Sequence, residues 1–440
     1  MKRATFTGGI DLAGVKEATL DSPISPCPRP SRLLVPLALT DVPPATPNVG
    51  IGERVSAGQK IAGIGDPQSA IRNPKSIDVL APLDGKVSAF VTAAVAARDG
   101  FVDVPAVELT DLSEPVLPAP PEAECNWRDL SADEIRARIA SGGLITFRRA
   151  PGTMADWLDR AIAKGCRTLI ANGMEHQPYV TADHRLLTQH GGEVVGGLAI
   201  IAKAIGAKDT ILAVDHRRIG AYRGLLAPAR SHGVNRVALW HKYPMGSDVM
   251  LTAILTGKET PPGGSTMDVG TAVIHPSACR AVWQQVVHGR SPLGRVVTVS
   301  GERIAKPANY FVPFGTPCCE LAGDAEGPLI HGGPMNGLAC PDGAVVGPAT
   351  DAVLAIDSPQ PVAPGPCIRC GWCTDQCPVR LNVAALNDMY ELSLVEQARR
   401  AGVMACLECG VCGFLCPAQL PLTHRVKALK RAVREAQKNA

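Results

Sequence analysis

Cys367-Ile-Arg-Cys370-Gly-Trp-Cys373-Thr-Asp-Gln-Cys377-Pro378 and, further on, Cys406-Leu-Glu-Cys409-Gly-Val-Cys412-Gly-Phe-Leu-Cys416-Pro417 repeat a single rhythm, C-x2-C-x2-C-x3-C-P. That spacing holds two [4Fe–4S] clusters. Three thiolates two residues apart wrap one face of a cubane on a tight loop. The fourth, followed by proline, crosses to the neighbouring cluster. The spacing therefore assigns Cys367, Cys370, Cys373 and Cys416 to one cluster, and Cys406, Cys409, Cys412 and Cys377 to the other. Two structural zinc sites would need a different rhythm.

The segment between the two runs, Leu381 to Gly402, has helical periodicity, and Leu422 to Lys438 reads as a basic amphipathic helix, either solvated or docked on an acidic partner or membrane surface. The other seven of the 15 cysteines, Cys27, Cys125, Cys166, Cys279, Cys318, Cys319 and Cys340, show no ligand rhythm and read as small buried hydrophobes. The first residues, Met1 to Gly9, lack the apolar run of a signal peptide, and no long charge-free apolar window is present. A cytoplasmic chain is expected, with thiols kept reduced and available to metal. The net charge of +3 gives no basic field, so no nucleic-acid partner is expected.

With 440 residues the chain is long enough for about three domains. Residues 1–111 carry short apolar strands broken by glycine, as in Val49 to Ile61 and Val79 to Val87, a pattern that resembles barrel-sandwich hybrids. Residues 112–125 are rich in proline and acid and read as a linker. Residues 126–258 alternate helix and strand, which implies a parallel sheet covered on both faces. Ser131 and Glu134 form a capping box for its first helix. Ligands of such folds sit at the carboxyl ends of strands, which singles out Asn172 to Arg185, Asp215 to Arg218 and Lys242 to Gly246. Residues 259–350 return to β character, and strands around Ala272 and Val296 with a helix over His275 to His288 suggest a β-grasp module. Its loop His331 to Gly337, with Gly332 and Gly333, suits close approach by a ligand or another chain. Residues 360–425 are the cluster domain and 426–440 the basic C-terminal helix.

In this order the pieces resemble the RnfC family of the Rnf electron-transport complex, and also the cobalamin reductase of propanediol-utilising microcompartments. The matching residues include Gly8-Gly9-Ile10, Lys242-Tyr243-Pro244, Gly332-Gly333-Pro334-Met335 and both cysteine runs. The resemblance implies an α/β domain related to the flavin subunit of respiratory complex I, a β-grasp module of the soluble-ligand-binding type and a helical two-cluster ferredoxin domain. It further implies FMN, and in many members NADH, with Asn172, Glu175, Lys242, Gly332 and Gly333 at the cofactor. The implied role is that of a peripheral electron carrier on the inner face of the cell membrane. It would link NADH, ferredoxin or flavodoxin to Rnf-type membrane subunits or a cobalamin enzyme, as an NADH-linked oxidoreductase or as a relay.

Two stretches depart from the family pattern. Phe147-Arg148-Arg149-Ala150-Pro151-Gly152-Thr153 stands where the family has a loop similar to Gly-Gly-Ala-x-Phe-Pro-Thr, and arginines in place of the glycine pair imply a lost or altered nicotinamide site. Asn172-Gly-Met-Glu175-His176-Gln177-Pro-Tyr179 stands where the family resembles Asn-Gly-Ala-Glu-Cys-Glu-Pro-Tyr, so Gln177 replaces an acid. Asp183 and Arg185 match family positions and are expected to pair with one another.

Overall fold

The computed structural model describes residues 5–38, 44–63, 78–118, 125–147, 152–357 and 363–438. Four strands, Thr168–Gly173, Asp209–Asp215, Asn235–Leu239 and Thr271–Ile274, form a parallel sheet in the order 235–239, 209–215, 168–173, 271–274. Leu169, Ile170, Ala171, Leu212, Ala213 and Val214 are buried in it. Such continuous apolar runs suit strands covered on both faces. The helices Ala132–Ser141, Met154–Ala163, Gly191–Ile205 and Pro276–His288 share its main core. The Ser131–Glu134 capping box is formed, and Ile135 and Ile139 point into that core.

The strand Thr271–Ile274 pairs with Thr168–Gly173. The expected boundary at residue 258 is therefore too early: the helix Pro276–His288 also packs into the α/β core and is not the helix of a β-grasp module. The second sheet begins later. Its six strands run in the order Ile24–Pro26, Ala308–Pro313, Gly294–Ser300, Ala352–Leu354, Ile330–His331, Leu338–Ala339, with the short helix Cys318–Ala322 packed on it. Its first strand is borrowed from the N-terminal region.

The barrel-sandwich unit pairs a four-stranded sheet, built mainly on the long hairpin Gly85–Ala96 and Phe101–Thr110, with a three-stranded one. Ile61, Val87, Val107 and Leu109 fill the space between them. Of the expected linker, residues 112–118 are described, and Glu114 there pairs with Arg29.

In the cluster domain the single helical stretch expected between the cysteine runs is two helices, Val383–Glu391 and Val395–Arg400, broken at Ser393, whose φ is +55°. The C-terminal helix Leu422–Lys438 buries Leu422, Val426, Leu429 and Val433 against them, at helical spacing. Several of its basic side chains are spent inside the domain. Arg425 reaches Asn387 Oδ1 at 2.6 Å, and Lys430 reaches Glu408 Oε1 at 2.7 Å and the Cys406 carbonyl at 2.6 Å.

Residues 9–20 run as an arm over the carboxyl end of the parallel sheet. Gly9 N–H donates to Gln376 O in the cluster domain, Ile10 pairs with Tyr243, and Tyr179 N–H donates to Gly14 O. Asn309 Nδ2, from the second sheet, donates to Thr19 O. The arm thereby fastens three units together.

Candidate functional site

The eight motif cysteines surround two neighbouring cavities. Cys367, Cys370, Cys373 and Cys416 line one; Cys377, Cys406, Cys409 and Cys412, with Cys373 between, line the other. The local backbone explains how each loop wraps. Arg369 and Glu408, at the same place in the two runs, have φ of +59° and +56°, and Gly371 and Gly410 have φ of +82° and +85°. Left-handed residues at these points curl each loop around its cavity, at a cost of about 1–3 kcal/mol for each non-glycine. Among the described residues, no three His, Cys, Asp or Glu side chains converge on a single metal ion. A ring of four thiols around a cavity instead suits a four-iron cubane. Amide donors already point at sulfur: Leu381 N–H at Cys377 Sγ (3.4 Å) and Glu408 N–H at Cys406 Sγ (3.3 Å). Burial pushes the free thiols of Cys406 and Cys409 up to about 12. Iron must displace those protons on binding.

Of the other cysteines, Cys27, Cys166, Cys279 and Cys318 are buried as expected, whereas Cys319 is exposed and Cys125 and Cys340 are half-buried. Cys340 packs on the core of the second sheet, and its thiol meets that of Cys318.

At the carboxyl end of Thr168–Gly173, Asn172 Nδ2 donates to Gly246 O (2.8 Å) and to Asp248 Oδ1 (3.2 Å). His176 Nδ1 accepts from Gly246 N–H at 2.6 Å. Burial holds His176 down at about 3, so it remains a neutral acceptor and does not act as a proton donor near neutral pH. These bonds lock the loop after residue 172 to the loop 242–246.

Glu175 faces inward. Its Oε1 accepts from Asp183 N–H (2.7 Å) and its Oε2 from His184 N–H (3.3 Å), at the start of the helix Ala182–Gln189, whose Thr181 makes no side-chain cap. Lys16, from the arm, places its Nζ 3.7 Å from Glu175 Oε2 and donates to Glu175 O and Val180 O. Burial raises Glu175 and lowers Lys16, and each partner opposes the other's shift. Asp183 pairs with His275 at 3.0 Å and not with Arg185, which donates to Leu20 O. Two residues apart on a helix, Asp183 and Arg185 point to different sides. At the ends of the next two strands, Asp215 Oδ2 receives His241 Nδ1 at 2.7 Å. Burial alone would raise Asp215, but this bond and the backbone N–H of Arg217 hold it below the usual range.

Lys242 Nζ donates to Phe6 O at 2.9 Å and lies 5.0 Å from the Phe6 ring. Gly332 has a φ of +86°. At Gly333 a Cβ would come within 2.5 Å of the Gln177 side chain. Gln177 in turn accepts from Met335 N–H and donates to Asn336 Oδ1 (2.9 Å) and Tyr243 Oη (3.3 Å). The amide that replaces an acid at 177 thus bridges the loop 332–336 to Tyr243. The loop's close approach is to Gln177 and the second cysteine loop.

The structure does not gather the five expected cofactor residues at one point: Asn172 and Lys242 lie at the carboxyl end of the parallel sheet, Glu175 is turned towards the helix Ala182–Gln189 and Lys16, and Gly332 and Gly333 lie on the loop beside Gln177. A cavity large enough for a flat ring opens on the other side of the helix Ala182–Gln189. Phe147, Leu186, Ser277, Arg280, Gln284, Arg290, Arg295 and Phe311 line it. Arg295 stacks 5.5 Å from the Phe147 ring and pairs with Asp351 at 2.5 Å, and Asp351 lies 3.6 Å from His275. The aromatic walls suit a ring system, whereas two of the guanidinium groups are already engaged: Arg280 Nε pairs with Glu193 Oε2 at 2.9 Å, and the Arg295 side chain, 1% exposed, is held by Asp351. Sequence reasoning reached Phe147 and missed Arg280, Arg290 and Phe311, which come together only through packing. Arg148 and Arg149 lie outside the described residues.

Three family models match parts of the chain: the RnfC Barrel sandwich hybrid domain over residues 4–109, the Nuo51 FMN-binding domain over 153–284, and the 4Fe-4S dicluster domain over 362–418. The second match ends inside the helix Pro276–His288, in line with the corrected boundary. The chain is 32% identical to the C subunit of the ion-translocating oxidoreductase complex of Rhodobacter capsulatus, over 98% of this chain and 84% of that one. It is 30% identical to the C subunit of the proton-translocating ferredoxin:NAD(+) oxidoreductase complex of Clostridium ljungdahlii, over 90% of this chain and 86% of that one. Among solved structures, a chain of an NAD+-reducing [NiFe]-hydrogenase in the H2-reduced state is similar at a TM-score of 0.46 and 19% identity, covering 69% of this chain and 64% of that one.

Proposed function

The chain belongs to the RnfC family, the C subunits of ion-translocating oxidoreductase complexes, and from that membership we propose how its residues carry electrons. It is an electron-transfer subunit with FMN, two [4Fe–4S] clusters and other subunits of an Rnf-type complex as partners. FMN supplies the exchange between two-electron and one-electron carriers that single-electron clusters need.

In our reading Cys367, Cys370, Cys373 and Cys416 ligate one cluster, and Cys377, Cys406, Cys409 and Cys412 the other. The observation that carries this is the division of the eight cysteines between two adjoining cavities. Phe147 and Phe311 would flank the flavin ring, with Arg290 towards its phosphate. Asn172, Glu175, Lys242, Gly332 and Gly333 would hold in place the loops at the carboxyl end of the parallel sheet and the loop that meets the second cysteine run. No helix among the described residues is long and apolar enough to cross a membrane. We read the chain as a peripheral subunit held by its partners.

We propose reduced ferredoxin or flavodoxin, ahead of NADH, as the donor, because Arg148 and Arg149 stand where the family pattern has glycines. The test is an anaerobic NADH titration of cluster-reconstituted protein supplied with FMN, followed by visible absorption. We expect flavin and cluster bands to persist with NADH and to bleach with dithionite. Rapid bleaching by NADH overturns the donor assignment. Failure to take up the iron of two cubanes overturns the ligand assignment.

A further inference from the structure

The two cysteine runs are the same loop used twice, with different surroundings. In the second run the loop is covered. Tyr243 Oη donates to Cys409 O at 2.6 Å. Gly410 packs so closely on Met335 that a Cβ there would lie 2.1 Å from the Met335 carbonyl oxygen. Val411 is 1% exposed, and it shares a small core with Tyr243, Leu12 and Met335. In the first run the corresponding positions are bare. Cys370 is exposed, a Cβ at Gly371 would meet nothing nearer than Asp375 Oδ2 at 3.8 Å, and Trp372, the counterpart of Val411, is 55% exposed. Ile368 beside it is 64% exposed. A shallow groove lined by Ile10, Trp372, Gln376, Phe414 and Leu415 continues this surface, and Phe414 is 63% exposed.

A large tryptophan, an isoleucine and a phenylalanine left in water around a redox ligand form the kind of apolar patch that marks an interaction site. The covered loop shows what such a loop receives: an apolar surface and a hydrogen-bond donor for the carbonyl of its middle cysteine. We propose that the loop Ile368–Trp372, with Phe414, docks another redox subunit of the same complex, and that the Cys367/Cys370/Cys373/Cys416 cluster is the one that exchanges electrons with it. The Cys377/Cys406/Cys409/Cys412 cluster then faces the flavin domain. This assignment rests on the electron-transfer reading above. The step moves one electron between the exposed cluster and the partner's own centre; one is oxidised as the other is reduced, and no bond or proton changes hands.

The test uses the full chain with both clusters, added back to membrane vesicles that hold the remaining subunits of the complex and lack this one. Restored electron flow is measured against added chain. We expect Trp372→Asp and Ile368→Glu each to raise the half-saturating concentration about tenfold or more, as a central apolar contact does. Iron content and the dithionite-reduced EPR signals should match the unsubstituted chain. A control change at exposed Leu226 on the α/β domain should leave it in place. Half-saturation unchanged in both loop variants, with wild type restoring flow, overturns the docking site. Wild type that takes up both clusters and restores no flow overturns the electron-transfer reading itself.

Discussion

Tyr243 and Cys409 are joined by a single hydrogen bond, phenol to backbone carbonyl at 2.6 Å, and that bond crosses from the parallel-sheet domain to the cluster domain. Tyr243 is fully buried and its ring lies 4.8 Å from that of His176. Tyr243→Phe keeps the ring and removes the donor. We expect full cluster content, a loss of roughly 1 kcal/mol in stability and a lower reduction potential for the Cys406-containing cluster alone, since a donor dipole that favours the extra electron is gone. An EPR-monitored redox titration reads the two clusters separately. Equal shifts in both would contradict the proximity of Tyr243 to one of them.

The crossing of the fourth cysteines makes a pairing that substitutions can read. Cys416→Ala should damage the same cluster as Cys370→Ala, although Cys416 lies in the other run. Cys377→Ala should damage the cluster of Cys406. Iron analysis and EPR on the three variants check this, while circular dichroism should show residues 1–350 still folded. If Cys377→Ala instead matched Cys370→Ala, each run would serve its own cluster.

Glu175 and Lys16 are both nearly excluded from water, with side chains 8% and 6% exposed. Removing one partner of such a pair leaves a buried group without its complement, at about 3–5 kcal/mol. Glu175→Gln should lose stability in that range, and Lys16→Met should lose a similar amount. The double variant should recover a substantial part. Urea unfolding of the four proteins gives the coupling. Additive losses would mean that the two groups do not support one another.

His176 and His184 make stability depend on acid. Burial holds the first at about 3 and the second at about 4. An unfolded chain protonates both near pH 6.5. Between these values the unfolded state binds more protons than the native one, so stability present above pH 6.5 is lost as pH falls. Each histidine contributes a slope of up to about 1.4 kcal/mol per pH unit. His176→Gln, which keeps an acceptor for Gly246 N–H, should flatten the fall in urea midpoint between pH 7 and pH 5. An unchanged slope would place His176 in contact with water.

Local signals are legible in the chain itself. The cysteine rhythm, the Ser131–Glu134 cap and the periodicity of Leu422 to Lys438 each need only neighbouring residues, and each is realised. Pairing between distant strands leaves no such mark. Nothing within Thr271–Ile274 says that its partner is Thr168–Gly173 and not Gly294–Ser300, and so the domain boundary moved. The role of Glu175 is hidden for the same reason. Its acid is visible, whereas Lys16, which meets it, lies far back in the sequence, where nothing marks it as a partner. The bend at Ser393 depends on one residue with positive φ, which periodicity does not register. The ring-sized cavity is built from Phe147, Arg280, Arg290 and Phe311, contributed by three stretches far apart in the chain.

The strap formed by residues 9–20 also orders events in time. These residues leave the ribosome early, yet Tyr243, Asn309 and Gln376, which they grip, emerge much later. The strap must stay undocked while the parallel sheet and the second sheet form. Its Gly9 end reaches the cluster domain, through Gln376 O, which is made last of all. Domains generally fold as units in order of synthesis, but here the earliest segment completes its contacts last. Closure of the strap thus waits on segments made long after it, and until they fold it stands open to proteases.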